Sequence, residues 1–326
     1  MARDINRMLG GLRDYLQEGE HLSGITPVST GHSNETYLLN GIDRVLRLPP
    51  SEEGLLPPYD MAQQHAVLAA VVGVDARLPV PRVFELCTDP TIIGDAFFVM
   101  EYLDGEAFEY ETPSWLSAAS SDVPAHMCTQ WIGAVTALHR MPSATMPAPH
   151  RTVTEEAQHW LGVAQDAEAP SLLVDVLEDL VVEPPRRSGE PTPIHGDPKH
   201  GNCLWDKKGK LLALLDWEMA GVGEPLMDLG YIMQFYDQGD NPLGSAGYEL
   251  TGWWSKQEVI DAWQSATGRT VIDLNRYEAL EVGKVAAIIA LGYHLFTSGR
   301  SKDARFEAWQ TVIPGYVAQA ARFAEG

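Results

Sequence analysis

An α+β protein of two lobes is predicted by three observations on this sequence. The first hundred residues run strand, strand, helix, strand, strand, the order of a small antiparallel sheet carrying one helix. After Asp104-Gly105 the pattern changes to long stretches of helical periodicity. At 326 residues, 45% hydrophobic and 21% charged, the chain can bury two cores. The expected division is a small lobe over 1–104 and a larger, mainly helical lobe over 105–326.

Taken in order, Ile5, Met8, Leu9, Leu12 and Leu16 fall at helical spacing and predict a surface helix. Strands follow at 36–40 and 44–49, split by the turn residues Gly41-Ile42-Asp43. The proline-rich stretch 51–60 is a loop, and 60–71 a helix ending near Gly73. Segment 81–89, a turn at Pro90 and segment 96–103 form a hairpin. Its second strand is continuously apolar, as a central buried strand is. In the second lobe, helices are expected over 131–141, 155–165 and 171–182. A loop-rich centre spans 191–230, and helices resume to the end. No internal repeat is present.

Lys+Arg number 23 against Asp+Glu 45, a net charge of −22, which argues against nucleic acid as a partner. That charge suits a cationic substrate or plain solubility. Three cysteines without a CxxC pair exclude a disulfide framework or zinc ribbon and read as reduced thiols. The first residues lack an apolar signal core, and the strongest apolar runs, 66–74 and 285–293, are short for a bilayer. A soluble cytoplasmic protein with no membrane partner is the expectation.

The informative segment is 191–230. His195-Gly-Asp197-Pro-Lys199-His-Gly-Asn202 is followed by the apolar run 211–215, Asp216, and then Asp228. Asn202 follows Asp197 by five residues and Asp216 follows it by nineteen. Phosphoryl transfer from ATP needs such a set: one carboxylate to take the acceptor proton, and an amide oxygen and second carboxylate to hold magnesium. A hairpin from 201–206 to 210–216 would bring Asn202 and Asp216 to one metal. The bland readings stand beside this one. Asp197, Asn202 and Asp216 would serve as caps and turn residues. His195 would bond backbone around the loop, or bind zinc with Asp197 and His200. GVGEPL (221–226) lacks the last glycine of a dinucleotide fingerprint, and GHSNE (31–35) fails the hydrolase elbow. Trp253, Trp254, Phe235 and Tyr236 would line a cleft or fill the core. Asp237, Asp240, Glu249 and Asp261 would attract an amine or form a solvated face. Lys207, Lys208 and Lys210 read as a hairpin tip.

With HGDPKHGN and LLDWE, the segments GHSNETYLL, VLRLPP, AFFVMEYLDG and GEPLMDLGYI resemble the aminoglycoside phosphotransferase/choline-kinase branch of the protein-kinase-like fold. They look like one subgroup of it, which includes the kinase-like domains fused to some acyl-CoA dehydrogenases and many bacterial proteins. The resemblance implies ATP and Mg²⁺ as cofactors and a small-molecule hydroxyl as acceptor, aminoglycoside-like or another alcohol, hydroxy acid or hydroxyacyl-CoA. A nucleotide-binding pseudokinase is the rival. It implies Asp197 as catalytic base, Asn202 and Asp216 as metal ligands, and His195 and Asp228 as supports of the catalytic loop. Met100 would sit behind adenine, with the Glu101 carbonyl and Leu103 amide reading its edge. Residues 31–36, with Ser33 and Asn34, would cover the phosphates. Two positions depart from the usual kinase pattern. Arg47 stands where a lysine is usual, opposite Gln64 (or Gln63) in place of a glutamate, so a neutral hydrogen bond replaces an ion pair. Lys199 would neutralise the γ-phosphate while Arg47 grips the α- and β-phosphates.

Overall fold

The computed structural model describes residues 3–28, 33–236 and 246–326. The N-terminal part is a five-stranded antiparallel sheet in the order β1-β2-β3-β5-β4. The strands are β1 (Gly24–Pro27), β2 (Glu35–Asn40), β3 (Arg44–Leu48), β4 (Val83–Cys87) and β5 (Phe97–Glu101). Gly41 at φ +98° and Asp43 at +48° make the left-handed turn that returns β2 into β3, pairing Leu38 with Val45. β5 lies between β3 and β4 with Phe97 to Met100 all buried, as its continuous apolar run predicts.

The sheet is covered on both faces, and the period of two sorts its side chains. Leu46, Leu48, Phe97 and Val99 pack with Met8 and Leu12 of the first helix, α1 (Ile5–Tyr15), and with Leu16 just past its end. Val45, Phe98 and Met100 pack with Val67, Leu68 and Val71 of α2 (Met61–Val71). The sheet therefore has five strands where the sequence pattern predicts four, and the expected surface helix, α1, joins α2 in covering it. Strand β1, GITP, is four residues ending in proline and shows no alternation. Only an edge position tolerates that proline.

The remaining chain is mainly helical: α3 (Ser114–Ser117), α4 (Asp122–His139), α5 (Val153–Asp166), α6 (Ser171–Val182), α7 (Leu226–Met233), α8 (Lys256–Thr267), α9 (Leu274–Thr297), α10 (Ala304–Ala308) and α11 (Ile313–Glu325). Thr152 with Glu155 and Ser255 with Glu258 form capping boxes that start α5 and α8. α9 is the central post, touching α5, α6, α7, α10 and α11. The apolar run 285–293 is thus part of a 24-residue helix long and apolar enough to cross a membrane. Two thirds of its most apolar window is buried in the protein, and it carries Glu278, Glu281 and Lys284, so it is a core helix here.

The centre at 191–230 is more structured than its loop-like composition suggests. β6 (Thr192–Ile194) pairs with β9 (Gly221–Gly223), and β7 (Cys203–Trp205) with β8 (Leu211–Leu214). Lys207, Lys208 and Lys210 are exposed at the β7–β8 tip, where Asp206 accepts the Lys208 and Lys210 amides. Cys87, Cys128 and Cys203 are buried and free. Trp253 and Phe235 are core residues that surround Tyr248, and so take the bland reading given above. Glu249 and Asp261 are solvent-exposed, while Asp237 and Asp240 lie outside the described residues.

Candidate active site

The loop between β6 and β7 carries His195 to Asn202 and is pinned from several sides. Asp228, fully buried on α7, accepts the backbone N–H of His195 and of Gly196, both at 2.8 Å, and contacts His139 Nε2 at 2.9 Å. Burial works to raise its pKa. The bond and charge of His139 outweigh that, so the carboxyl stays below the usual value. His195 lies with one ring nitrogen 2.9 Å from the Leu215 carbonyl and the other accepting the Asp197 amide at 3.2 Å. Burial pushes its pKa down and keeps it neutral. The zinc alternative fails on the surroundings of His200, which is enclosed by the rings of Phe108, Trp131, Tyr248 and Trp253. Among the described residues no group of three or more His, Cys, Asp or Glu side chains could hold a metal.

Asn202 folds back on Asp197, its amide donating to the Asp197 carboxylate at 2.9 Å and to the carbonyl at 2.8 Å. Its own carbonyl accepts the Leu215 amide at 2.8 Å, which sets Asn202 beside the end of β8, where Asp216 follows. Asp216 is left-handed at φ +66°, a conformation that turns the chain sharply out of β8. The β7–β8 hairpin thus brings Asp197, Asn202 and Asp216 together as the spacing implies.

Arg47 of β3 reaches across from the sheet. It donates to Gln64 Oε1 at 3.1 Å and to Asp216 Oδ1 at 2.5 Å, and stands 3.6 Å from Glu218. Gln64, not Gln63, is its neutral partner; Gln63 turns away to the Pro147 carbonyl. Burial tends to raise the Asp216 pKa, but the Arg47 charge outweighs it and the carboxyl lies below its ordinary value. Glu218 is pushed up to about 8 by burial and by the charge of Asp216. It accepts from Ser33 Oγ at 2.7 Å and from the Asn34 amide. Ser33 and Asn34 therefore border the site, while Gly31 and His32 of the same predicted loop lie outside the described residues.

Lys199 is no exposed loop lysine. Its ammonium donates to Glu109 at 2.7 Å and stands 3.9 Å from Asp197. Burial would lower its pKa, but the charges of Asp197 and Glu109 raise it, so it is a firm cation. On the connection between lobes, Met100 is buried opposite Val45. Glu101 holds Arg82 through a bidentate pair, and Leu103 follows half-buried. A cavity of about 440 Å³ opens beside the loop, lined by Gly196, Trp217, Met219, Trp160, Leu291 and Lys284 among others. The sequence reading missed Glu109, Glu218 and Lys284. Only two had a signal: Glu218 by its place in LLDWE, and Lys284 as a cation inside an apolar run.

Fold and loop together define a kinase-like phosphotransferase. Residues 24–256 match the phosphotransferase enzyme family, and the chain belongs to that family. Human acyl-CoA dehydrogenase family member 11 is 27% identical over 323 residues, covering 90% of this chain and 40% of that protein. Mouse acyl-CoA dehydrogenase family member 10 is 27% identical over 315 residues, with 90% and 29% covered. The chain thus spans well under half the length of these relatives. Among solved structures, a candidate aminoglycoside phosphotransferase from Ralstonia eutropha JMP134 superposes with a TM-score of 0.76 at 20% identity over 99% of both chains. The GDP and kanamycin complex of APH(2")-IIIa gives 0.65 at 16%, covering 96% and 98%. These likenesses carry the bilobal kinase-like fold.

Proposed function

We propose that the protein is an ATP- and Mg²⁺-dependent kinase that moves the γ-phosphoryl group to a hydroxyl of a small molecule. The observation that supports this best is the meeting of Asp197, Asn202, Asp216 and Arg47 from three separate elements. The lobes 1–104 and 105–326 would close over the nucleotide, with Met100, Glu101 and Leu103 at the adenine and Ser33 and Asn34 over the phosphates.

The donor set fits magnesium. Asn202 and Asp216 offer hard oxygens, few in number, as suits an ion that keeps waters and phosphate oxygens in its shell. Arg47 already places a positive charge on Asp216, the neutralisation a bound cation would provide. Bound there, the ion would offset charge on the β- and γ-phosphates. Asp197 would orient the acceptor hydroxyl and take its proton as the bond to phosphorus forms. Lys199 would face the γ-phosphoryl group, and Arg47 the α- and β-phosphates, through its fork.

The acceptor would enter the cavity beside Gly196. Some of its charges are paired: Arg151 with Glu156, Lys284 with Glu281, and Glu218 with Ser33, Asn34 and Arg47. Asp60 and Asp166 add exposed carboxylates to its lining. Trp160, Val163, Met219, Val222 and Leu291 supply apolar walls. An alcohol with an apolar body suits such walls, and the carboxylates of the lining, like the net charge of −22, admit a neutral or cationic head group. A hydroxy acid or hydroxyacyl group is the second reading, suggested by the acyl-CoA dehydrogenase relatives rather than by the lining, whose Arg151 and Lys284 are paired with glutamates. Acceptor-dependent ADP formation with Mg²⁺ and ATP, across neutral alcohols, hydroxy acids, hydroxyacyl thioesters and aminoglycosides, tests both. Turnover with an apolar alcohol is expected. Thermal stabilisation by ATP without turnover on any acceptor would favour a regulatory pseudokinase instead.

A further inference from the structure

Lys284 is 2% exposed near the middle of α9, where its neighbours Val282, Ala286 and Ala287 are buried apolar residues. Its ammonium donates to the Gly196 carbonyl at 2.7 Å, pairs with Glu281 one turn earlier, and stands 4.5 Å from the centre of the Tyr231 ring. Gly196 is the residue before Asp197 and sits at φ +84°. A Cβ there would lie 2.5 Å from the Met219 carbonyl, so only glycine fits. The peptide on which Asp197 hangs is thus gripped on all its polar atoms. Asp228 takes the Gly196 N–H, Lys284 gives to the Gly196 carbonyl, and His195 takes the Asp197 N–H.

We propose that Lys284 is a positioning residue of phosphoryl transfer: its ammonium fixes the Gly196–Asp197 peptide and thereby aims the Asp197 carboxylate. Packing alone does not call for a lysine. A buried ion pair returns little stability, and an apolar side chain of similar volume commonly serves as well or better. The cation is useful at this place because the Gly196 carbonyl has its donor on α9, a rigid helix distant in sequence. The carboxylate then stays aimed when the loop loads nucleotide and acceptor.

This inference rests on Asp197 being the base, and the test separates the two claims. Lys284→Met is measured in the wild-type and in the Asp197→Asn background, with steady-state kinetics and thermal melts on the same preparations. In wild type, Lys284→Met should lower kcat by about 10²-fold, the scale of an ångström-sized misplacement. The ATP KM should be little changed, while the melting temperature should fall, because the substitution leaves Glu281 buried without its partner. In the Asp197→Asn background the same substitution should cost almost nothing more, because Lys284 acts through the carboxylate already removed. Equal losses in both backgrounds, or wild-type kcat in Lys284→Met, overturn the proposal. Should Lys284→Met not fold, Lys284→Gln, which keeps an N–H donor without the charge, reads the same cycle. Wild-type turnover in Asp197→Asn alone would instead strike at Asp197 as the base.

Discussion

Arg47 ties the sheet to the site, since one guanidinium serves Gln64, Asp216 and the neighbourhood of Glu218. Because it would grip phosphates in ground and transition states alike, Arg47→Ala should raise the ATP KM far more than it lowers kcat. Lys199→Ala should do the reverse, since charge redistributes at the γ-phosphoryl group during transfer. Steady-state kinetics with varied ATP and saturating acceptor check both, and a silent Lys199→Ala would contradict this division. His200 gives a pH prediction. Its folded pKa is depressed to about 3, so the unfolded chain binds a proton that the folded one refuses as pH falls below the ordinary histidine value of 6.5. Its contribution to stability is whole above that value and lost as pH falls from there toward 3. His200→Phe, in a cage of aromatic rings, should flatten the fall of the urea midpoint between pH 6.5 and 4. An unchanged slope would count against it. At this scale the grouping of Asp197, Asn202 and Asp216 was legible from their order and spacing along one segment, and the brace at Asp228 from the family resemblance. Glu109 was not, since its contact with Lys199 joins residues 90 apart and no local pattern marks it.

At the scale of elements, long periodic helices and the buried strand β5 could be read from sequence. Strands β1, β6 and β9, three or four residues each, are too short for alternation to register. Two of these, β6 and β9, pair at the base of the loop that carries His195 to Asn202. The α7–α9 contact is the support beneath it. A Cβ on Gly230 would lie 2.8 Å from the Tyr277 backbone, which cannot give way as a side-chain tip does. Gly230→Ala should therefore destabilise by about 1–3 kcal/mol. It should also lower kcat, because α7 carries Asp228. Urea unfolding and kinetics on that variant check the pair, and a stable variant with wild-type kcat would refute the coupling.

For the whole molecule, the change of character after Gly105 announced two lobes, but not how they meet. They meet through a shared apolar core, in which Val67, Phe98 and Met100 join the cluster of Leu214 and Trp217. They also meet through polar contacts between distant segments: Arg47 with Asp216, Ser33 and Asn34 with Glu218, and the Leu214 amide with the Pro79 carbonyl at 2.8 Å. The first two polar contacts sit where nucleotide and metal are proposed to lie, so loading the site would exchange lobe–lobe contacts for lobe–ligand ones. Magnesium-ATP should then raise the melting temperature in wild type and do so less in Asp216→Ala. The central claim is that Asp216 holds the magnesium through which ATP is used. Turnover of Asp216→Ala with magnesium as the only metal, on an acceptor that wild type phosphorylates, tests it most directly. The account predicts no measurable product from a folded variant, and product at a rate near that of wild type would contradict it.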